Sequence, residues 1–184
     1  MTLSVDGKRY TQKLTVQNDP RSPATTAALV AQHALLVGIS DGIAIAASSA
    51  KQVADLRTAL TKANGANAAA EVKSAISAFS AKLASVAGGG GGGRGGRGGG
   101  ATANPTFNAI NGALAAQLTT QDNADQAPTA SSRAAFAGSC KELTTVQALF
   151  TRIATKDLAA LNAILAKNGG SAINAPTTGA APRC

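Results

Sequence analysis

The 184-residue chain has the length of one ordinary domain, and its residues are 45% hydrophobic but only 3% aromatic. An interior of Ala, Leu, Ile and Val suits closely packed helices and argues against a ligand cavity, because such cavities usually need large side chains in their walls. The net charge of +8 reflects few acids rather than a dense basic run, so nucleic acid is disfavoured as a partner.

A β-hairpin is predicted at the beginning of the sequence. Apolar and polar side chains alternate over residues 3–5 and 10–16, with Asp6-Gly7 between the two runs. This dipeptide favours a hairpin because a type I′ turn needs two residues that tolerate positive φ. A lone hairpin is marginally stable in water. We therefore expect it either to contact the helices or to join a sheet outside this chain.

The first helix is predicted over residues 24–63, capped by Ser22 and ended by Asn64-Gly65. Two apolar series recur in it every seven residues, which indicates a helical seam. They are Leu29, Leu36, Ile43 and Ala50, and Ile39, Ala46, Val53 and Leu60. Gly38 and Gly42 predict close contact with another helix, with a kink as the alternative.

Residues 27–50 are apolar enough to raise the question of a membrane span. Gln32, His33 and Asp41 argue against one, because a charge in the membrane centre costs about 2.5–3.5 kcal/mol or more. The sequence therefore predicts no membrane span here, and a buried helix instead. The polar first residues likewise predict no signal peptide within the sequence.

The second helix is predicted over residues 67–87 with one apolar face, and the short turn before it predicts an antiparallel return along the first helix. That face comprises Val72, Ile76, Phe79, Leu83 and Val86. The segment GGGGGGRGGRGGG at residues 88–100 follows. It cannot fold alone, because glycine loses the most backbone entropy on ordering and brings no side chain to bury. About 13 flexible residues reach roughly 20 Å, enough to cross a bundle.

Two more amphipathic helices and a short last one are predicted after this linker. The third opens at Asn104-Pro105, the fourth is capped by Thr129, and the last is capped by Asp157. Their apolar faces comprise Phe107, Ile110, Leu114 and Leu118; Phe136, Cys140, Leu143, Val146, Phe150 and Ile153; and Leu158, Leu161, Ile164 and Leu165. Asn168-Gly169-Gly170 ends the last helix, and a loose tail is expected beyond it.

These elements predict a mainly α fold. It is an antiparallel up-down four-helix bundle with an N-terminal β-hairpin and a glycine-rich linker between helices two and three. Five segments follow from the same pattern. They are the hairpin with its proline linker (1–21), the first helical hairpin (22–87), a disordered linker (88–104), the second helical hairpin with the short helix (105–170) and the tail (171–184).

No residue is predicted to be catalytic, to bind a cofactor or to ligate a metal. His33 is the sole histidine and cannot complete a zinc site with Cys140 and Cys184 at any usual spacing. We expect a core or boundary histidine instead. Cys140 is expected to be a buried apolar side chain, and a disulfide with Cys184 stays open as an alternative.

Glycoside hydrolysis needs two carboxylates across a cleft, and the few acids here are scattered. Most fall at predicted turns and caps, and the rest are spread over three helices. They are Asp6, Asp19, Asp122, Asp125 and Asp157, and then Asp41, Asp55, Glu71 and Glu142. For Asp41 a polar core contact with His33 or a lysine is the structural alternative. Arg94 and Arg97 form RGG units without the interleaved aromatics of RNA-binding arrays, so a flexible connector is favoured.

Three pieces of the chain carry a family resemblance: residues 3–21 (LSVDGKRYTQKLTVQNDPR), the glycine–arginine linker, and the segments PTFNAINGALAAQL and KDLAALNAIL. Together they resemble the C-terminal region of large bacterial BNR-repeat proteins, which are sortilin-like β-propellers often labelled glycosyl hydrolases. In that family an immunoglobulin-like sandwich follows the propeller, and a helical tail module follows the sandwich. The resemblance implies an exported parent protein that is secreted, periplasmic or at the cell surface. It brings no active-site residue to this chain.

The sequence thus predicts a non-catalytic structural or interaction module without cofactor or small-molecule substrate. Its expected partners are other domains of a parent protein or further copies of itself, because an unpaired hairpin edge recruits strands. The alternatives are a basic RGG-bearing nucleic-acid binder and the accessory region of a glycosyl hydrolase whose catalytic part lies elsewhere.

Overall fold

The computed structural model describes residues 1–65, 68–88 and 105–177. Within them the chain is mainly helical, with one two-stranded antiparallel hairpin. Its elements are β1 (Thr2–Val5), β2 (Lys8–Thr11), α1 (Thr26–Ala63), α2 (Ala70–Ala87), α3 (Phe107–Gln121), α4 (Ala130–Arg152), a π-helical turn (Ile153–Asp157) and α5 (Leu158–Lys167). The predicted mainly α class and the predicted N-terminal hairpin are confirmed. Most of the predicted linker, with Asn104, Arg94 and Arg97, lies outside the described residues.

The hairpin is shorter than predicted in its second strand. Asp6 and Gly7 both adopt positive φ, as a type I′ turn requires. The strands end after four residues each, whereas the alternation predicted a second strand up to Val16. Beyond Thr11 the second strand finds no further strand among the described residues to pair with, and Leu14 and Val16 are 65% and 86% exposed.

Local capping was predicted correctly at three helix ends and wrongly at three. The Thr129 hydroxyl accepts a hydrogen bond from the Ser132 amide, Asn64 ends α1, and Gly169 and Gly170 form a Schellman motif after α5. The predicted cap at Ser22 is wrong, because the Thr25 hydroxyl caps α1 through the Ala28 amide. At the third helix Thr106 is the cap, through the amide of Ala109.

The predicted cap at Asp157 is also wrong. Asp157 has helical backbone angles and no capping hydrogen bond, because the π-helical turn joins α4 to α5 without a break. A π-helical turn accommodates an extra residue in a helix. The apolar face therefore continues from Phe150 through Ile153 to Leu158, all of which are buried.

Only one of the two heptad series of α1 belongs to the core. Ile39, Ala46, Val53 and Leu60 are at most 2% exposed. The series of Leu29, Leu36, Ile43 and Ala50 is only half-buried, because those residues lie at the border of the packed face. The prediction of a buried helix is therefore wrong for α1, whose most apolar 18-residue window is only 22% buried.

Helices α3 and α4 pack on the N-terminal half of α1 in opposite directions. A Cβ added at Gly42 would lie 2.9 Å from Cδ1 of Leu114 and 3.9 Å from Cδ2 of Leu143, and one at Gly38 would lie 2.8 Å from the Phe136 ring. With the bond between Gln32 and Gln121, these pairs place α3 antiparallel and α4 parallel to α1. The close-contact interpretation of the two glycines is confirmed, and α1 runs unbroken through them.

The predicted up-down order is not confirmed. Lys82 pairs with Asp157 and Lys167 with Glu71, so α2 runs antiparallel to α5. Because α5 continues the direction of α4, and α4 runs opposite to α3, α2 and α3 run in the same direction. A 38-residue helix is about 57 Å long. Therefore α1 is long enough for α2 and α3 to follow one another along it.

The two ends of the glycine-rich segment lie side by side. Gly88 has φ +79°, and a Cβ added there would lie 2.8 Å from the Thr106 hydroxyl. The sequence predicted only that the linker is long enough to cross a bundle. In the structure α2 ends where α3 begins, so the connection closes a loop between neighbouring ends.

The C-terminal tail is fixed as far as Thr177, contrary to the prediction of a loose segment. Ile173 is 8% exposed and belongs to the core. The side chain of Asn162 both donates to the Ile173 carbonyl and accepts from its amide, each at 2.9 Å. The predicted loose residues beyond Thr177 lie outside the described part of the chain.

Candidate interaction surfaces

The hairpin has one apolar and one polar face. Leu3 pairs with Tyr10 and Val5 with Lys8 on the first, while Ser4 pairs with Arg9 on the second. Because successive side chains of a strand point to opposite faces, this one-sided pattern is typical of a strand pair that covers a core on one side only.

In the part of the chain that the structure describes, no core lies beneath that apolar face. Residues 1–21 are all exposed, and neither strand contacts any helix in the described residues. Leu3 and Tyr10 are 62% and 57% exposed. Of the two expectations for the hairpin, contact with the helices is therefore wrong.

The hairpin segment is also basic. Lys8, Arg9 and Lys13 outnumber the single acid, Asp6, over residues 1–16. The next acid, Asp19, is paired locally, because Arg21 donates to both of its carboxylate oxygens. These hydrogen bonds lower the pKa of Asp19 below its ordinary value. Two hairpins of this charge repel one another at close range, which favours a neutral or acidic partner.

The outward face of α1 is the second apolar surface. Val30 and Val37 are 64% and 43% exposed. Between Ser22 and Ala50 the only charged side chain is that of Asp41. By length and composition α1 is able to span a membrane, but core helices of soluble proteins can have the same length and composition.

A groove of about 870 Å³ lies between the C-terminal half of α1 and residues 169–177. Leu56 and Leu165 form part of its apolar wall, and Asp55 and Lys62 border it. Gln52 closes one end by donating to the Thr177 carbonyl at 2.9 Å. Residues 169–177 of the chain itself form one side of this groove.

Buried amides tie α1 to the loop between α3 and α4. The Gln32 amide nitrogen donates to the carbonyls of Gln121 and Ala124 at 2.8 and 2.7 Å. In turn the Gln121 amide donates to the Ser132 hydroxyl at 2.8 Å. Each bond satisfies a polar group that packing removes from water. This network could not be predicted from the sequence, because nothing local distinguishes Gln32 from an exposed glutamine.

The structure scatters most of the acids considered for catalysis. His33 and Asp41 are exposed, so His33 is not a core histidine, and the polar core contact considered as an alternative for Asp41 does not occur. His33 does border a shallow depression together with Asp122 and Asp125. No group of three metal-ligating side chains with suitable geometry occurs among the described residues.

Three further acids form ion pairs. Asp55 pairs with Lys51 at 2.6 Å and Asp157 with Lys82 at 2.5 Å. Hydrogen bonds from Lys167 and then Asn168 to Glu71, with the charge of Lys167, lower the pKa of Glu71 below its ordinary value. The first pair lies within α1, the other two join α2 to the segment from Asp157 to α5, and the three converge on no common point.

Cys140 is buried, as predicted, and it is disulfide-bonded. Cys140 is therefore oxidised, which is the alternative that the sequence left open. Its hydroxyl-bearing neighbour Ser139 accepts a hydrogen bond from Gln117 at 2.9 Å, which joins α4 to α3 at this level.

Comparison of the chain with protein-family models, with curated proteins and with solved structures finds no match. The resemblance to the BNR-repeat proteins thus stays an expectation.

Proposed function

We propose that this chain is a non-catalytic structural and interaction module, whose β-hairpin completes the sheet of another domain. One observation carries the proposal: an amphipathic hairpin in which Leu3, Val5 and Tyr10 are exposed and contact no helix. A hairpin is marginal in isolation and gains stability when its apolar face is covered and its edges are paired.

The partner that fits is a β-sandwich domain with an open sheet edge and an apolar inner face. Strand addition supplies main-chain hydrogen bonds along the edge, and alternate side chains then enter the partner's core. Leu3, Val5 and Tyr10 are the side chains available for this burial. The basic residues Lys8 and Arg9 favour such a domain over a second copy of this hairpin, because like charges oppose self-pairing.

The family resemblance supports the same assignment. In the BNR-repeat proteins an immunoglobulin-like sandwich precedes the helical module, so the partner sheet belongs to the parent protein. On this proposal the module is exported with its parent and acts by packing against the domains beside it. Any glycoside hydrolysis belongs to the parent.

Site-specific photo-cross-linking in the source cells tests the hairpin surface. A photoreactive amino acid replaces Leu3 on the apolar face, and the matched control replaces Ser4, its neighbour on the polar face. The proposal expects Leu3 to cross-link to strand residues of a sheet-bearing exported domain, with Ser4 giving little product. Equal cross-linking from both positions, or from neither, would contradict it.

Light scattering on the purified chain at low and high salt separates the alternatives. The proposal expects a monomer at both salt concentrations. An oligomer that survives high salt, with Leu3 cross-linking to a second copy, would make self-association the function. Tight binding of a single-stranded oligonucleotide that weakens steeply with salt would instead favour the nucleic-acid alternative.

A further inference from the structure

We infer that the partner strand pairs with the outer edge of β2, continued through residues 12–16, and that it carries acidic side chains on the face of Arg9 and Lys13. This assignment rests on the proposed function, since it concerns the same hairpin. A hairpin of two strands has two outer edges. The register of its hydrogen bonds decides which residues each edge offers to a neighbour.

The register fixes the residues of each outer edge. The Gln12 amide donates to the Met1 carbonyl at 3.0 Å, and the Met1 nitrogen donates to the Gln12 carbonyl at 2.8 Å. In an antiparallel pair of strands, residues that exchange hydrogen bonds alternate with residues that exchange none. The pairs that exchange none are therefore Thr2–Thr11 and Ser4–Arg9. The main-chain N–H and C=O groups of these residues point away from the hairpin, where a further strand can meet them.

The two edges differ in charge. Thr2 and Ser4 make the outer edge of β1 neutral, whereas the edge of β2 carries the cation of Arg9. Lys13 adds a second cation to the same edge and face once the strand continues, because side chains alternate along a strand. Charges of this kind keep identical edges apart. A strand with Asp or Glu opposite them turns the same charges into favourable cross-strand pairs.

The alternation of apolar and polar side chains continues beyond the end of β2. Leu14 and Val16 are 65% and 86% exposed, and no strand pairs with residues 12–16 among the described residues. A neighbouring strand allows this segment to extend β2, which places both apolar side chains on the apolar face of the hairpin. The extended edge then offers the outward main-chain groups of four residues, Arg9, Thr11, Lys13 and Thr15. The described part of β1 offers those of Thr2 and Ser4 alone.

A second copy of the chain fits this edge poorly. Residues 8–16 contain three cations, Lys8, Arg9 and Lys13, and no acid. Two copies of the β2 edge therefore repel one another in any register. A sheet whose edge strand is acidic attracts the same residues, so the charge of β2 selects a different domain as the partner.

Photo-cross-linking from the two edges in the source cells tests the assignment. Thr11 and Thr2 lie opposite each other in the hairpin, so a photoreactive amino acid at either position differs chiefly in the edge that it probes. Thr11 is expected to yield about tenfold more product than Thr2, because adjacent strands lie about 4.8 Å apart. Sequencing of the linked peptide is expected to place the link in a strand with acids at alternate positions. Equal yields, or a greater yield from Thr2, would overturn the assignment.

Cross-linking from Leu3 separates a failure of this assignment from a failure of the proposed function. Leu3 lies on the apolar face and reports whether that face is covered by another domain, whichever edge is paired. Products from Leu3 and Thr2 without one from Thr11 would retain the proposed function and refute the β2 edge. No product from either Leu3 or Thr11 would refute both.

The charge of the partner strand is tested by Lys13→Glu. Replacing a favourable cross-strand pair by a repulsive one is expected to lower the yield from Thr11 by about fivefold. Lys141→Glu is the matched control, because it makes the same change of charge on the exposed face of α4. Its yield is expected to stay within about twofold of the native chain, as for other exposed sites away from the contact. An unchanged yield with Lys13→Glu, or an equal loss in both variants, would overturn the acidic partner strand.

Discussion

The side-chain amide of Gln32 donates to the main-chain carbonyl of Gln121 at 2.8 Å, across 89 residues of sequence. This bond satisfies the last carbonyl of α3, which no intrahelical donor can reach, and its neighbour satisfies the Ala124 carbonyl in the loop that follows. One buried glutamine of α1 therefore fixes where the loop between α3 and α4 lies.

Replacing Gln32 by leucine is expected to destabilise the fold. The variant leaves the Gln121 carbonyl buried without its donor, so we expect a loss of about 1–3 kcal/mol in the free energy of unfolding. Urea denaturation followed by circular dichroism measures it. Gln126→Leu in the exposed loop is the matched control, with an expected change within about 0.5 kcal/mol. Equal effects of the two variants would refute this role for Gln32.

Adding a methyl group at Gly42 is expected to cost stability, whereas adding one at Gly138 is not. The new Cβ at position 42 would meet Leu114, which is 1% exposed and has little room to move. We expect Gly42→Ala to destabilise by about 1–2 kcal/mol. Gly138→Ala, also helical but open to solvent, is expected to stabilise by about 0.5–1 kcal/mol. Thermal unfolding of both variants gives the comparison, and a stabilised Gly42→Ala variant would contradict the close packing.

Shortening the glycine-rich segment is expected to leave the fold intact. Gly88 and Thr106 are neighbours, so the connection has little distance to span. Deleting residues 91–98 halves the connection, and we expect a gain of about 0.6 kcal/mol from loop-closure entropy. Circular dichroism and urea denaturation of the deletion variant test this. Loss of helical signal would mean that the segment does more than connect.

Acid is expected to weaken the contact between α2 and α5. The pKa of Glu71 is lowered below its ordinary value of 4.5, chiefly by the hydrogen bond from Lys167. A lowered pKa contributes stability above the unfolded-state value, and that contribution is lost as the pH falls through the folded-state value. The urea midpoint of the native chain should therefore decrease below about pH 4.5 more than that of Glu71→Gln.

Glu142→Gln is the control for this experiment, since Glu142 is exposed on α4 and no ion pair of it occurs among the described residues. Its acid response should match that of the native chain. If Glu71→Gln also matches the native chain, the ion pair contributes nothing to the pH dependence, as for many exposed pairs.

Much of the secondary structure could be predicted because its causes are local. The Asp6-Gly7 turn, the Thr129 cap and the Gly169-Gly170 ending each depend on residues within five positions of one another. The apolar face of α2 was also predicted correctly, because a period of 3.6 residues places its five large side chains on one side of the helix.

The candidate surfaces were harder to predict. A hairpin could be recognised from its alternation, but only the tertiary structure decides whether Leu3 and Tyr10 contact a helix. The disulfide of Cys140 was one of two alternatives, because spacing along the sequence sets no distance between two sulfurs.

The sequence by itself determined that this chain is helical, that a hairpin begins it, and which side chains form each apolar face, because these depend on periodicity and on turn chemistry. Only the tertiary structure decided that Ile39 and not Ile43 enters the core, that α3 runs antiparallel to α1, and that Ile173 is held against α5. Two apolar stripes on one helix are equivalent until a neighbour covers one of them. The physical reason is that packing couples residues far apart in sequence. Local propensity therefore carries no information about which helix packs against a given face.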